Sequence, residues 1–191
     1  MKNDARFIKN EEKIKDTFKQ MVCEMRFEDI TVKELTARAK MNRKTFYLHY
    51  ATIEELIKRF QIELSEEYVE RIKHLDIFHD YHEVITQFYL FHVEKGEFIE
   101  KLTVDPNYEY IRNQMISKVE DSYKNTSIFK DMDPYVVNIA IAFLNSTTLS
   151  IYKAWVKDNK QIPLFEIIDI NYNLVKKGFD GLIKNTKKIT S

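Results

Sequence analysis

The chain has 191 residues, 44% of them apolar and 13% aromatic, which suffices for one sizeable core or a small domain joined to a larger one and excludes a disordered polymer. Its 30 Lys and Arg balance 30 Asp and Glu, so overall charge favours no partner, and 3 Gly with 3 Pro are too few for strands joined by tight turns. A single cysteine excludes an internal disulfide, no secretory leader precedes the first helix, and the longest unbroken apolar run, 139–144, is far short of a membrane span, so a cytoplasmic protein with no membrane partner is expected.

Charged residues recur at helical intervals, which predicts an all-α chain. The first helix is expected over about Asp4 to Met25, with Ile14, Phe18, Met21, Val22 and Met25 on one apolar stripe. Cys23 falls on that apolar side and is expected to be buried and unreactive. Thr31 with Glu34 forms a capping box for a second helix that buries Val32, Leu35 and Ala39. The pattern breaks at Lys40-Met41-Asn42, where Asn42 can cap a third helix with Phe46 and Tyr50 inward and Arg43, Lys44, Thr45 and Tyr47 outward. Thr52 with Glu55 opens a long fourth helix to about Leu75.

A helix from Asp80 to about Glu94 should end at Lys95-Gly96, with a short one over Glu97 to Leu102. Pro106 stands near the start of another helix, to about Lys124, followed by a polar loop at Asn125-Thr126-Ser127. Asp133-Pro134 is an N-cap and first-turn pair for a helix to about Asp158, and Pro163 starts the last, to about Lys184. Val136 to Leu144, then Leu149, Ile151, Tyr152, Trp155 and Val156, are apolar beyond the needs of one stripe. Leu164, Phe165, Ile167, Ile168, Ile170, Leu174, Val175, Phe179, Leu182 and Ile183 do the same on the last helix. Either a second copy of the chain covers the surplus face in a two-fold four-helix arrangement, or both helices are central to a monomer core.

Charge is uneven along the chain. Residues 1–60 carry 14 Lys and Arg against 10 Asp and Glu, residues 61–170 carry 11 against 19, and residues 171–191 carry 5 against 1. No carboxylate occurs between Glu34 and Glu54, a stretch holding Arg38, Lys40, Arg43, Lys44 and His49 with hydroxyls at Thr36, Thr45, Tyr47 and Tyr50. A helix-turn-helix cleared of negative charge in a chain of zero net charge points to a polyanion, and to double-stranded DNA in particular. Helix geometry places Arg43, Lys44 and Thr45 toward base edges, and Thr31, Lys33, Tyr47 and His49 toward phosphates.

These residues carry a resemblance. Thr31, the turn at 40–42, the string Thr45-Phe46-Tyr47-Leu48-His49-Tyr50 and the acidic start Glu54-Glu55-Leu56 resemble the DNA-binding domain of TetR/AcrR-type transcriptional repressors. The likeness covers about residues 6 to 60; beyond that it rests on helix number and on Trp155 and Pro163. It implies a three-helix DNA-binding domain over 1–52 and a larger helical regulatory and dimerisation domain over 53–191. A homodimer joined through about 134–158 and 163–184, repressing from a palindromic operator, would follow. The family usually has Ala-Gly-Val in the turn where this chain has Ala39-Lys40-Met41, so either Lys40 takes the left-handed conformation at some cost or the turn differs slightly. It often has Lys before the acidic pair where this chain has Ile53, leaving that phosphate contact to Lys44 or Lys58. A divergent member acting through protein contacts without specific DNA binding is the alternative.

The resemblance also implies a small-molecule effector in the C-terminal domain, with Phe88, Tyr89, Phe91, His92, Tyr108, Tyr110, Phe143, Asn145 and Trp155 as candidate lining. Aromatic residues at helical spacing serve equally well as plain core. His74, His79 and His82 with Asp76 and Asp80 are too loosely spaced to assign a metal. No phosphate-cradling glycine loop, nucleophile elbow or paired zinc motif occurs, so neither an enzyme nor a cofactor is expected.

Overall fold

The computed structural model describes residues 2–76, 79–124 and 133–189, and among these every regular element is a helix. Eight α-helices follow in order: α1 Lys2–Glu24, α2 Val32–Arg38, α3 Arg43–Tyr47, α4 Ile53–Ile72, α5 Tyr81–Val104, α6 Glu109–Lys124, α7 Pro134–Lys157 and α8 Leu164–Ile189. Short 3-10 turns at Phe27–Asp29 and Pro106–Tyr108 join α1 to α2 and α5 to α6. The expected polar loop at Asn125, Thr126 and Ser127 lies outside the described residues, as do the side chains of Phe179, Leu182 and Ile183.

Local chemistry places most boundaries. Thr31 accepts the Glu34 amide at 3.2 Å, Asn42 accepts the Lys44 amide at 2.9 Å, and Asp133 accepts the Tyr135 amide at 2.8 Å. At the start of α4 the capping box closes in both directions, Thr52 accepting the Glu55 amide and the Glu55 carboxylate accepting the Ala51 amide at 2.6 Å. α5 is continuous in hydrogen bonding but breaks at Gly96, whose φ of 66° and ψ of −152° leave the helical region.

The described chain divides into two compact units, the first formed by residues up to Leu64 with Lys95–Met115, the second by Ser65–Glu94 with the residues from Ile116 onward. The first unit reaches beyond residue 52 because its core is assembled from distant segments. Ile14, Phe18, Met21 and Val22 of α1 are fully buried. Phe18 stacks on Phe60 of α4 at 5.6 Å, and Phe60 meets Phe98, after the break in α5, edge-on at 5.0 Å. Each such ring contributes roughly 1.5–3 kcal/mol by burial. The buried Arg112 guanidinium donates to the carbonyls of Leu102, Thr103 and Asp105, which clamps the start of α6 onto the end of α5. Cys23 is half-buried, and burial with nearby Glu97 pushes its thiol pKa up, the condition of an unreactive cysteine.

In the second unit α7 packs on α8. α7 buries Val137, Ala140, Ile141, Leu144, Thr148, Tyr152 and Trp155, a three-and-four spacing that covers one side only. By length and composition α7 is apolar enough to cross a membrane; here that apolarity is divided between a face packed in the unit and an open one. The open face carries Tyr135 at 79% exposure and Ile139 at 66%, and α8 adds Phe165 and Leu174. The surplus apolar surface is therefore not absorbed by the chain's own core.

Candidate nucleic-acid interface

The candidate surface is built on a helix-turn-helix, α2 and α3. Leu35 and Ala39 sink the inner face of α2, while the buried Thr36 hydroxyl donates to the Val32 carbonyl. The helix ends at Lys40, with φ at 48°. Met41 N–H donates to the Thr36 carbonyl and Lys40 N–H to the Ala37 carbonyl, the paired bonds of a Schellman motif. Lysine thus fills a position where glycine would cost less, by about 1 kcal/mol.

Phe46, fully buried, and Tyr50 anchor α3 from its inner side, their rings 5.9 Å apart. The Tyr50 hydroxyl donates to Glu11 of α1 at 3.1 Å, and burial holds the Tyr50 phenol protonated well above its ordinary range. With that face fixed, Arg43, Lys44 and Tyr47 are exposed and Thr45 is half-buried. Thr31 and Lys33 are exposed at the start of α2. Lys33, Lys40, Arg43 and Lys44 meet no carboxylate among the described residues, whereas Arg38 is neutralised by Glu24 and Glu34. The acid-free stretch of sequence thereby presents four cations that have no carboxylate partner among the described residues.

His49 behaves differently from its neighbours. Its ring lies 3.9 Å from the Phe7 ring of α1, inclined at 31°, and its Nδ1 is buried with no hydrogen-bond partner. Burial lowers its pKa against the opposing pull of Glu11, so the imidazole is neutral near pH 7. An unpaired Nδ1 is cheaper as a bare lone pair than as an orphaned donor, which assigns the proton to Nε2. Both rings line an open cleft of about 470 Å³ with Glu11, Glu55, Lys58 and Arg59 on its rim. Ile53 is 6% exposed and belongs to the core, so no cation stands at the start of α4, and Lys58 is exposed one turn further on.

No protein-family model and no curated protein matches the chain. Solved structures do. A TetR transcriptional regulator from Streptococcus agalactiae superposes with TM-score 0.68 at 18% identity, covering 92% of this chain and 98% of that one. NalD, described as the secondary repressor of the MexAB-OprM multidrug efflux pump in Pseudomonas aeruginosa, gives 0.67 at 12% identity, covering 89% and 96%. The fatty acid degradation regulator FadR of Bacillus halodurans gives 0.64 at 14% identity, covering 87% and 94%. This is the TetR-type regulator fold.

Within the TetR-type fold, the expected effector residues separate into two groups. Phe88, Phe91, His92 and Trp155 come together in the second unit with Tyr89 and Tyr152 between them. Phe88 stands 4.2 Å from His92, and Tyr89 5.7 Å from both Tyr152 and Trp155. His92 Nδ1 donates to the Phe88 carbonyl at 2.8 Å, and burial lowers its pKa to about 4. Trp155 Nε1 donates to the Ile162 carbonyl at 2.7 Å and closes the α7–α8 turn. Asn145 reaches Glu120 at 3.4 Å.

Tyr110 does not join them. It is 72% exposed and belongs to the first unit, because the turn capped by Asp105 sets the helical phase so that Tyr108 points inward and Tyr110 outward. Phe143 is 38% exposed and lies against Gly178, where an added Cβ would come within 2.7 Å of its ring. The histidines between α4 and α5 are dispersed: His79 bonds Asp76 at 2.6 Å, and His82 stands 3.5 Å from Asp169.

Two residues with bearing on function were missed by sequence reasoning. Asn171 is fully buried, its Nδ2 donating to the Tyr89 hydroxyl at 3.3 Å while its Oδ1 has no partner. Its only sequence signal is a polar residue within the apolar spacing of α8. Leu48, 73% exposed at the end of α3, follows Lys44 by one turn.

Proposed function

We propose that this protein is a cytoplasmic, ligand-responsive transcriptional repressor that binds a palindromic DNA operator as a homodimer. The observation that carries the reading is the surface of α3, where Arg43, Lys44 and Tyr47 stand outward on a buried Phe46–Tyr50 anchor with no carboxylate partner. Arg43 is the candidate for a bidentate guanine contact, with Lys44 and Thr45 beside it at the base edges. Thr31, Lys33 and Tyr47 suit phosphate oxygens, and His49 suits one through Nε2–H without needing to be charged. Lys58 takes the phosphate role that Ile53 cannot.

The open apolar side of α7, with Tyr135 and Ile139 exposed, supports dimerisation, as does the exposure of Phe165 and Leu174 on α8. A second copy would cover this face and present two recognition helices to successive major grooves. For an effector, the support is the aromatic cluster of the second unit and two buried oxygens left unpaired there, Asn171 Oδ1 and Thr148 Oγ1. Buried unpaired polar atoms are rare, and a bound molecule is one way to satisfy them. Effector binding would shift the population between two dimer geometries.

A mobility-shift assay on the DNA upstream of the protein's own coding sequence, run across a salt series, tests the function. Retention of one palindromic site as salt rises, with half-sites about one helical turn apart, is the expected result. Binding that is equal on all duplexes and vanishes uniformly with salt would favour the divergent, protein-binding alternative.

A further inference from the structure

We propose that Leu48 is a specificity-determining residue that reads a thymine C5-methyl group in the major groove; the inference rests on the DNA-binding reading above and names what one more side chain of that surface recognises. Leu48 is helical in backbone, with φ −75° and ψ −20°, although it falls one residue past α3. At 100° per residue, Lys44 and Leu48 lie on the side of the helix opposite Phe46 and Tyr50. Burial agrees: Phe46 and Tyr50 are 0% and 5% exposed, Leu48 73%. Leu48 is thus among the most outward side chains of the helix, standing one turn beyond Lys44 and beside Tyr47.

An isolated exposed leucine needs no explanation on an ordinary surface. This one stands at the C-terminal edge of a patch whose other outward members are Arg43, Lys44 and Tyr47, with no carboxylate from residue 35 to 53. A hydrocarbon adds nothing to phosphate affinity, so it is out of place in a purely electrostatic surface. Base edges in the major groove present hydrogen-bonding groups and one apolar feature, the thymine methyl. A leucine projected toward the groove one turn beyond Lys44, which is assigned to a base edge, matches that feature, and it cannot satisfy the polar edge of guanine or cytosine. Tyr47 is a weaker candidate for the same contact. Its ring is held edge-on to Phe46 at 5.7 Å and an interplanar angle of 83°, and its hydroxyl needs a polar partner.

Duplexes selected from a randomised library by the full-length protein, then remade with single thymines replaced by deoxyuridine, test this directly. Deoxyuridine removes only the methyl group and leaves the polar edge intact. The expected result is one thymine in each half-site whose replacement weakens wild-type binding about fourfold, the effect of one methyl-sized apolar contact. Leu48→Ala should bind thymine and deoxyuridine duplexes equally at that position, both about as weakly as wild type binds the deoxyuridine duplex, and should fold as before, since the side chain is exposed. If Leu48→Ala keeps the wild-type thymine preference, or if no thymine methyl matters to the wild type, the assignment is overturned while DNA binding stands. Failure to bind any duplex at low salt would overturn both.

Discussion

Two surfaces of this protein expose large apolar side chains, and they differ in what surrounds them. On α3, Leu48 and Tyr47 stand among Arg43 and Lys44, with buried rings beneath and no carboxylate in the sequence from residue 35 to 53. On α7, Tyr135 and Ile139 stand four residues apart on the side opposite the buried one, and on α8 Phe165 and Leu174 are exposed as well. The first is a few isolated hydrocarbon groups in a cationic field, which suits a polar, charged groove. The second is apolar surface beyond what the chain's own core consumes, which suits another copy of itself. Exposure alone separates neither; charge context and helix length do.

The largest expected effect tests the second surface. Ile139→Asp combined with Phe165→Asp should weaken self-association by about 3–5 kcal/mol, the cost of an uncompensated charge in a closed interface. Sedimentation at micromolar concentration should then give the monomer mass, with unchanged helical content. A wild-type protein that is already monomeric would remove the contrast between the surfaces altogether.

A second test uses His92, buried in the aromatic cluster of the second unit, and the half-buried His49 beside α3. His92 has a folded pKa of about 4 against an ordinary 6.5, so the folded state binds fewer protons than the unfolded chain between those values. Stability from this group is whole above pH 6.5 and lost as pH falls toward 4, at up to about 1.4 kcal/mol per pH unit and roughly 3 kcal/mol in all. In denaturant titrations wild type should lose stability relative to His92→Phe as pH falls through this window. His49 shifts in the same direction from a less enclosed site, so His49→Phe should change the same slope by less.

Smaller effects lie on the head. Arg43→Ala should cost about 1–3 kcal/mol on the preferred duplex and relax base preference at one position per half-site. Lys33→Ala should weaken all duplexes alike and lower the salt slope by about one per subunit. Equal, uniform losses from both would erase the division between base and phosphate contacts. Lys40→Gly should raise stability by roughly 0.5–1 kcal/mol in thermal or urea unfolding, since glycine relieves the left-handed strain. The same change removes an unpaired cation from the reading surface, so stability and DNA affinity should move in opposite directions.

Much of this was readable from residues a few positions apart. Thr31, Asn42, Thr52 and Asp133 cap the helices expected of them, Gly96 breaks α5 where Lys95-Gly96 indicated, and of the two ways a turn without glycine could close, Lys40 takes the positive φ. Phe46 and Tyr50 face inward as their four-residue spacing implied. The site was less legible. Tyr110 looked like its aromatic neighbours, yet a 3-10 turn rotates it outward, and His49 looked like a plain phosphate ligand until Phe7, 42 positions earlier, was seen to cover its ring.

The sequence by itself determined the helices, their ends, the acid-free stretch and the excess of apolar surface, because each depends on propensity, capping or composition within a few residues. Tertiary structure alone decided which side chains of a given stripe are covered, since that depends on partners far along the chain. Phe18, Phe60 and Phe98 meet only after folding, and their meeting draws Lys95–Met115 into the same compact unit as the helix-turn-helix. Burying Phe46 and Tyr50 against that unit, with Tyr50 tied to Glu11, is what turns Leu48 outward.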